Sequence, residues 1–127
     1  MWLSSMRFPA VLLAVFLAGC AVLQPDAEVT VGKRAQARWD ALVAGDTKAA
    51  YEFLSPGSRA ALSLVDYASA IRVGFWKSAK VDKVTCESAD RCEVAATIEY
   101  ELQGRRTKTP LRETWIRDGS EWWYLQR

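Results

Sequence analysis

The chain has 127 residues, 17 lysines and arginines against 15 aspartates and glutamates, and no histidine. This length fits one domain of ordinary size. The balanced charge, with no basic cluster longer than Arg105-Arg106, argues against nucleic acid as a partner. The absence of histidine excludes Ser-His-Asp and Cys-His catalysis and the usual zinc and haem ligand sets. We therefore expect neither a metal site nor a cofactor.

Residues 1–19 have the order of a secretory signal. Arg7 precedes an apolar run from Phe8 to Ala18, and no acidic residue occurs before Asp26. The apolar run is far shorter than the roughly 20 residues that a membrane-spanning helix needs. The pattern predicts a segment that directs export and does not span the membrane.

The signal ends in Leu17-Ala18-Gly19-Cys20, which resembles the lipobox of bacterial lipoproteins. This resemblance implies cleavage before Cys20 and a diacylglycerol on its sulfur. The alternative is a conventional signal with a buried or free thiol at this position.

If the lipobox is used, residues 20–28 are the lipidated cysteine and a tether, and residues 29–127 are the folded domain. The eight residues that follow the cysteine reach at most about 28 Å, so the domain lies close to its membrane in the cell envelope. Ala21 stands where the enterobacterial inner-membrane retention signal has aspartate, and by this resemblance the outer membrane is favoured.

Two further cysteines, Cys86 and Cys92, would be exported to an oxidising compartment, where disulfides persist. Their spacing differs from a Cys-x-x-Cys redox pair and makes a poor zinc site without histidine. We predict a structural disulfide between them, which would stabilise the fold by roughly 2 kcal/mol.

The first part of the domain has helical periodicity. Apolar residues recur at three- and four-residue steps over residues 29–44, and a second helix is predicted over residues 47–54. Ser55-Pro56-Gly57 is interpreted as the break that follows. Ser63 and Asp66 resemble a capping box that opens a third helix, ending near Phe75.

The second part alternates apolar and polar residues, as strands do. Extended segments are predicted over residues 80–86, 92–102, 107–117 and 121–126. Pro110 suggests a bulge or an unpaired edge. The predicted fold class is α+β, with three N-terminal helices packed on a curved four-stranded antiparallel sheet.

Three groups of residues resemble the nuclear transport factor 2-like (SnoaL-like) superfamily over roughly residues 30–126. They are Ala44-Gly45-Asp46, residues 50–56 with Arg59, and the ending at residues 114–119 followed by Trp122-Trp123. The resemblance implies a cone-like fold with a pocket between sheet and helices. The sequence lacks the histidine of the superfamily's enzymes and the short strand pair that would widen the cone. No catalytic residue is therefore assigned, and we expect a smaller or filled pocket.

Aromatic residues are the candidates for a pocket or a contact surface. Trp39 and Trp115 are interpreted first as core residues. Trp122 and Trp123 are adjacent in a strand, so one points to the interior and the other outward, towards lipid headgroups, a partner, or covering Arg and Lys stems. The candidates are Trp39, Tyr51, Tyr67, Tyr100, Trp115, Trp122 and Trp123.

Charged candidates are weaker. An acid–base enzyme in such a cone needs a carboxylate beside a tyrosine, and Asp66, Glu99 and Glu101 are the choices. Asp66 is also explained as a cap, and the two glutamates fall on the polar face of their strand. A basic turn, Arg105-Arg106 with Lys108, suits acidic headgroups or is a solvated hairpin tip.

Two functional interpretations follow. The favoured one is a non-enzymatic, membrane-anchored envelope lipoprotein that binds a protein partner or a small apolar ligand. The alternative is a small-molecule isomerase or dehydratase that uses a carboxylate and a tyrosine.

Overall fold

In a computed structural model, residues 26–127 are described, and they form helices followed by an antiparallel sheet. The predicted signal, Cys20 and most of the tether lie outside the described residues. The helices are α1 (Ala27–Ala44), α2 (Thr47–Tyr51), α3 (Pro56–Ala61) and α4 (Leu64–Ala70). The strands, in the spatial order of the sheet, are β1 (Trp76–Ser88), β2 (Arg91–Leu102), β3 (Arg105–Asp118) and β4 (Glu121–Tyr124). None of the helices described is long and apolar enough to cross a membrane.

The described part has four helices, so the prediction of three is wrong. The missed helix is α3, because Ser55-Pro56-Gly57 was interpreted only as a break. A proline at the first helical position loses no hydrogen bond there, and its fixed φ suits a helix. The Ser55 hydroxyl caps α3 by accepting from the Ser58 N–H. Proline here begins a helix.

The third predicted helix ends earlier than expected. The capping box is present, since the Ser63 side chain accepts from the Asp66 N–H at the start of α4. The helix stops at Ala70 because Ile71 is extended, and Gly74 then takes a positive φ of 84°. The chain enters β1 at Trp76, four residues before the predicted strand.

The four strands form a meander in which each strand pairs with the next. Cys86 and Cys92 are register partners across the β1–β2 hairpin, and a disulfide joins them with an S–S distance of 2.05 Å. β4 pairs only with residues 115–118 of β3, so Pro110 lies where β3 has no β4 neighbour. The predicted unpaired edge at this proline is present.

The core lies between α1 and the inner face of the sheet. From α1 it receives Val31, Ala35, Trp39 and Leu42; from the sheet it receives Cys92, Val94, Ala96, Ile98 and Trp115. The buried hydrophobic residues all fall between Val31 and Trp122. This core is described for residues 26–127 alone.

Gln36 of α1 occupies the outer edge of β1. Its side-chain Nε2 donates to the Ala79 carbonyl and its Oε1 accepts from the Val81 N–H, both at 2.9 Å. An open strand edge exposes such groups to pairing with another chain. The amide of Gln36 thus takes the place of a neighbouring strand at this point.

We predict that Gln36→Ala lowers the free energy of unfolding by about 1–3 kcal/mol, because two backbone groups of β1 lose their partner. Urea denaturation measures this change. Lys33→Ala, on the exposed face of the same helix, is the matched control and should leave stability within about 0.5 kcal/mol. Equal stability of the two variants would contradict the role given to Gln36.

Candidate functional site

The interior contains a buried ion pair that joins α1 to β3. Nη1 of Arg38 lies 2.6 Å from Oε2 of Glu113, and the two side chains are only 5% and 2% exposed. The indole N–H of Trp39 donates to the other carboxylate oxygen at 2.9 Å. Both oxygens of Glu113 are therefore bonded.

Neither member of this pair was among the predicted site residues, although the sequence carries a signal for each. The spacing of Arg38 from Ala35 and Leu42 places it on the buried face of α1. Glu113 alternates with Leu111 and Trp115 on the apolar side of β3, which is an inward position. A charge at an inward position of each element indicates a buried pair.

Aromatic rings enclose the ion pair. The guanidinium carbon of Arg38 lies 3.7 Å from the ring centre of Tyr124 and 5.4 Å from that of Trp39. Tyr67 and Trp115 are fully buried close by, and the hydroxyl of Tyr67 has no hydrogen-bond partner among the described residues. The ring faces stabilise the cation in a place that water does not reach.

Burial raises the pKa of Glu113, while Arg38 and the indoles of Trp39 and Trp115 act in the opposite direction. Burial likewise raises the pKa of Tyr67 and of Tyr124, again opposed by Arg38. Desolvation by burial has the largest effect on the pKa of all three side chains. The two side chains of the pair are only 5% and 2% exposed, so the pair lies in the interior, although Glu113 and Tyr124 also line a cavity of about 390 Å³.

The predicted aromatic candidates separate into two groups. Trp39, Tyr67 and Trp115 converge on the ion pair, and Trp122 is buried beside Trp115 in the neighbouring part of the core. The others lie away from the pair. Tyr51 donates to the Leu62 carbonyl at 2.8 Å, Tyr100 stacks on Phe75 with ring centres 5.0 Å apart, and Trp123 is half-buried at the surface.

The predicted carboxylate candidates lie outside the core. Asp66 is exposed and accepts a hydrogen bond from the hydroxyl of Ser63 at 2.9 Å. Glu99 and Glu101 pair with Arg106 at 3.5 and 3.9 Å. None of the three reaches the helix–sheet interior. Among residues 26–127, no group of three or more Cys, Asp or Glu side chains is placed to hold a metal ion.

A second arrangement lies at the surface, and we call Arg34, Phe53, Arg59 and Trp123 the Trp123 surface. The guanidinium carbons of Arg34 and Arg59 lie 5.3 and 5.2 Å from the Trp123 ring centre. Arg34 is fixed by donating to the Trp122 carbonyl at 2.7 Å. Burial lowers its pKa, and Glu121 opposes this.

A cavity of about 430 Å³ adjoins the Trp123 surface. Its lining residues are Arg34, Ala49, Glu52, Phe53, Glu121 and Trp123. The sequence analysis left open whether Trp122 or Trp123 points inward. The structure places Trp122 inside, at 6% exposure, and leaves Trp123 half-buried at the surface beside the guanidinium groups of Arg34 and Arg59.

Two solved structures have a similar fold. One is a SEC-C motif containing protein from Rhodopseudomonas palustris, with 14% identity, a TM-score of 0.61 and 73% of each chain covered. The other is a SEC-C motif containing protein from Psychrobacter arcticus, also with 14% identity, a TM-score of 0.64 and 82% of this chain covered. This chain spans 63% of the length of the Psychrobacter arcticus protein. No protein-family model and no curated protein matches the sequence.

These comparisons correct the family and the fold class drawn from the sequence. The structural neighbours are SEC-C motif containing proteins, so the assignment to the nuclear transport factor 2-like superfamily, with its three-helix cone, is wrong. The segments that suggested it are local: a helix end, a short helix and a hairpin rich in tryptophan. Such units recur on unrelated folds. At 14% identity the likeness shows the fold alone.

We predict that Arg38→Met destabilises the domain by about 3–5 kcal/mol at neutral pH, because Glu113 then carries a buried charge without a counter-ion. The double variant Arg38→Met/Glu113→Gln should recover most of this loss, since no buried charge remains. Denaturant unfolding of the three proteins measures the difference. Equal stability of the single and double variants would contradict this account.

The single variant Glu113→Gln tests the pH dependence of stability, again by denaturant unfolding. Because the pKa of Glu113 is raised in the fold, the native state binds more protons than the unfolded state above the ordinary value of 4.5. This stabilisation is complete below that pH and is lost as the pH rises through the raised pKa. Glu113→Gln should lack this decline.

Proposed function

We propose that the chain is an outer-membrane lipoprotein whose domain is a non-enzymatic module that binds a protein partner through the Trp123 surface. The observation that carries the proposal is the tryptophan held between two arginine guanidinium groups at the surface. The lipobox resemblance at Cys20 supports the anchor.

The composition of the Trp123 surface supports a protein partner. Tryptophan and arginine are enriched among the residues that dominate binding energy at protein interfaces. Arg34 is already fixed by its bond to the Trp122 carbonyl, so less side-chain entropy remains to be lost on binding. The adjoining cavity offers room for a side chain of the partner.

The filled interior supports a binding module rather than an enzyme. Trp39, Tyr67 and Trp115 occupy the space between α1 and the sheet together with the Arg38–Glu113 pair. A carboxylate that is only 2% exposed and bonded at both oxygens is poorly placed for an acid–base step. Contacts with other molecules are therefore made on the outside of the domain.

The surface cavities favour a protein over a small apolar ligand. An apolar depression beside Phe75 and Trp76 has a volume of about 220 Å³. This is below the roughly 300–1,000 Å³ usual for small-molecule sites. Two larger cavities, of about 390 Å³ and about 430 Å³, lie within that range. Both are lined by charged side chains, which an apolar ligand would leave without partners: Arg91, Glu93, Arg112 and Glu113 in the first, and Arg34, Glu52 and Glu121 in the second.

The anchor is tested by lipid labelling of the full chain in a bacterial host. We predict that a radioactive fatty acid labels the protein, and that Cys20→Ser abolishes both the label and outer-membrane fractionation. The matched control, Cys86→Ser/Cys92→Ser, also changes cysteines and should keep the label. Label retained in Cys20→Ser would overturn the lipobox assignment.

The partner is tested by a photoreactive amino acid at Glu52, an exposed position in the cavity beside Trp123. We predict a discrete crosslinked protein in cells, and Trp123→Ala should weaken its binding by about 30-fold, as at a strong interface contact. The same amino acid at Lys80, exposed on β1, should give no such product. A product that Trp123→Ala leaves unchanged would contradict the proposal.

A further inference from the structure

The antiparallel topology gives the domain two opposite ends. The turns at residues 88–91 and 118–121 lie at one end, together with the start of α1 beside Val81 and Val84. We call this the tether end, because the chain enters there. The turn at residues 102–105, the start of β1 and the end of α1 lie at the other, which we call the far end. A Cβ at Gly45 would lie 2.9 Å from Val73, which places the end of α1 against residue 73.

The far end exposes apolar side chains. Val73 is 67% exposed and Leu102 is 51% exposed. Between them an aromatic group is half-buried, in which Phe75 stacks on Tyr100 at 5.0 Å and meets Trp76 edge-on at 4.7 Å. The Glu101 N–H donates to the Phe75 carbonyl, so the loop and the hairpin are held side by side.

Basic side chains surround these apolar residues. They are Arg72, Lys77, Arg105, Arg106 and Lys108, all exposed. Arg106 pairs with Glu99 and Glu101. The other four form no ion pair with a described residue. The tether end carries charges of both signs: its acidic side chains are Asp26, Glu28, Glu87, Asp90, Asp118 and Glu121, and its basic ones are Lys83, Arg91 and Arg117.

We propose that the far end binds a membrane surface that carries anionic lipid headgroups. Exposed aliphatic side chains can enter the boundary between headgroups and acyl chains, while the surrounding lysines and arginines meet the phosphates. Tryptophan and tyrosine prefer this same boundary. The proposal does not depend on the Trp123 surface, which lies on β4 close to the tether end.

The shape of the far end favours lipid over an acidic protein. Val73 lies on a loop and Leu102 at a hairpin tip, and both are exposed. Of the five cations around them, all except Arg106 form no ion pair with a described residue. A fluid lipid surface adapts to a projecting apolar tip, whereas a protein partner needs a matching pocket. An acidic protein remains an outcome of the test.

The lengths of α1 and of the tether allow the far end to contact the membrane that holds the lipid anchor. α1 has 18 residues and is therefore about 27 Å long. Because α1 begins at Ala27, six residues of the tether remain outside the helix, and they reach at most about 21 Å when extended. The domain can therefore lie on its side with both ends near one leaflet. This consequence rests on the proposed lipid anchor, but binding by the far end does not.

The experiment uses residues 21–127 without lipid, which include all the described helices and strands. The protein is sedimented with vesicles of phosphatidylcholine alone, or of phosphatidylcholine with phosphatidylglycerol. We expect binding only to the anionic vesicles, weakened by added salt. Arg105→Gln and Lys108→Gln should each reduce the binding constant about fivefold, and Leu102→Ser should reduce it by a similar factor of about five.

Lys33→Gln is the matched control, since this lysine is exposed on α1 away from the far end. It should bind as the unchanged protein does. Circular dichroism verifies folding, and Lys77→Gln provides a second charge variant outside the hairpin. Equal binding to both vesicle types, no effect of the far-end variants, or binding to an acidic protein without binding to vesicles would each overturn the proposal.

Discussion

The arrangement of helix and sheet depends on the contact between Arg38 and Glu113. α1 covers the inner face of the sheet, and this pair fixes where along β3 it lies. The pair removes two charges from water, which costs several kcal/mol for each ion. The contact at 2.6 Å, the bond from Trp39 and the ring of Tyr124 offset that cost. A helix displaced by one turn would leave both charges buried and unpaired, so the pair selects one packing among those that an apolar face alone would allow.

The Arg38–Glu113 pair also bears on function, because it fills the interior, and we therefore place the proposed contacts on the outside of the domain. A core that contains an ion pair tolerates little opening, because water or ligand entering beside Glu113 would disturb several bonded groups together. Gln36 adds to this by fixing α1 to the edge of β1 two residues before Arg38. The residues from Gln36 to Trp39 on α1 thus have two roles. Gln36 covers the edge of β1, and Arg38 and Trp39 bond Glu113 in the interior. The surfaces left for recognition are those at Trp123 and at the far end.

The sequence predicted the features that depend on neighbouring residues. Alternation located the strands, Ser63 marked the start of α4, and the spacing of Cys86 and Cys92 indicated a hairpin with facing cysteines. It did not predict the Arg38–Glu113 contact, because that contact depends on how α1 lies on β3, and the two residues are 75 apart. Pro56 was misinterpreted since proline both ends and begins helices. The assignment to the nuclear transport factor 2-like superfamily was wrong for a related reason. It was based on local segments, whereas a fold is defined by how all the elements pack.

The distribution of charge over the domain bears on both proposed contact surfaces, the Trp123 surface and the far end. Exposed charges act over roughly 8–10 Å at physiological salt, so only the end nearest an anionic leaflet is strongly affected by it. Acidic and basic side chains are mixed at the tether end, so the leaflet acts mainly on the cations of the far end, which it attracts. If the chain is lipid-anchored, this attraction favours a domain that lies on its side, with its far end against the leaflet and its tether end held close by the anchor. Trp123 pairs with Ile116 close to the tether end, so its surface then stays accessible to a partner. Lipid contact and protein contact can therefore occur at the same time, because they use different ends of the same domain.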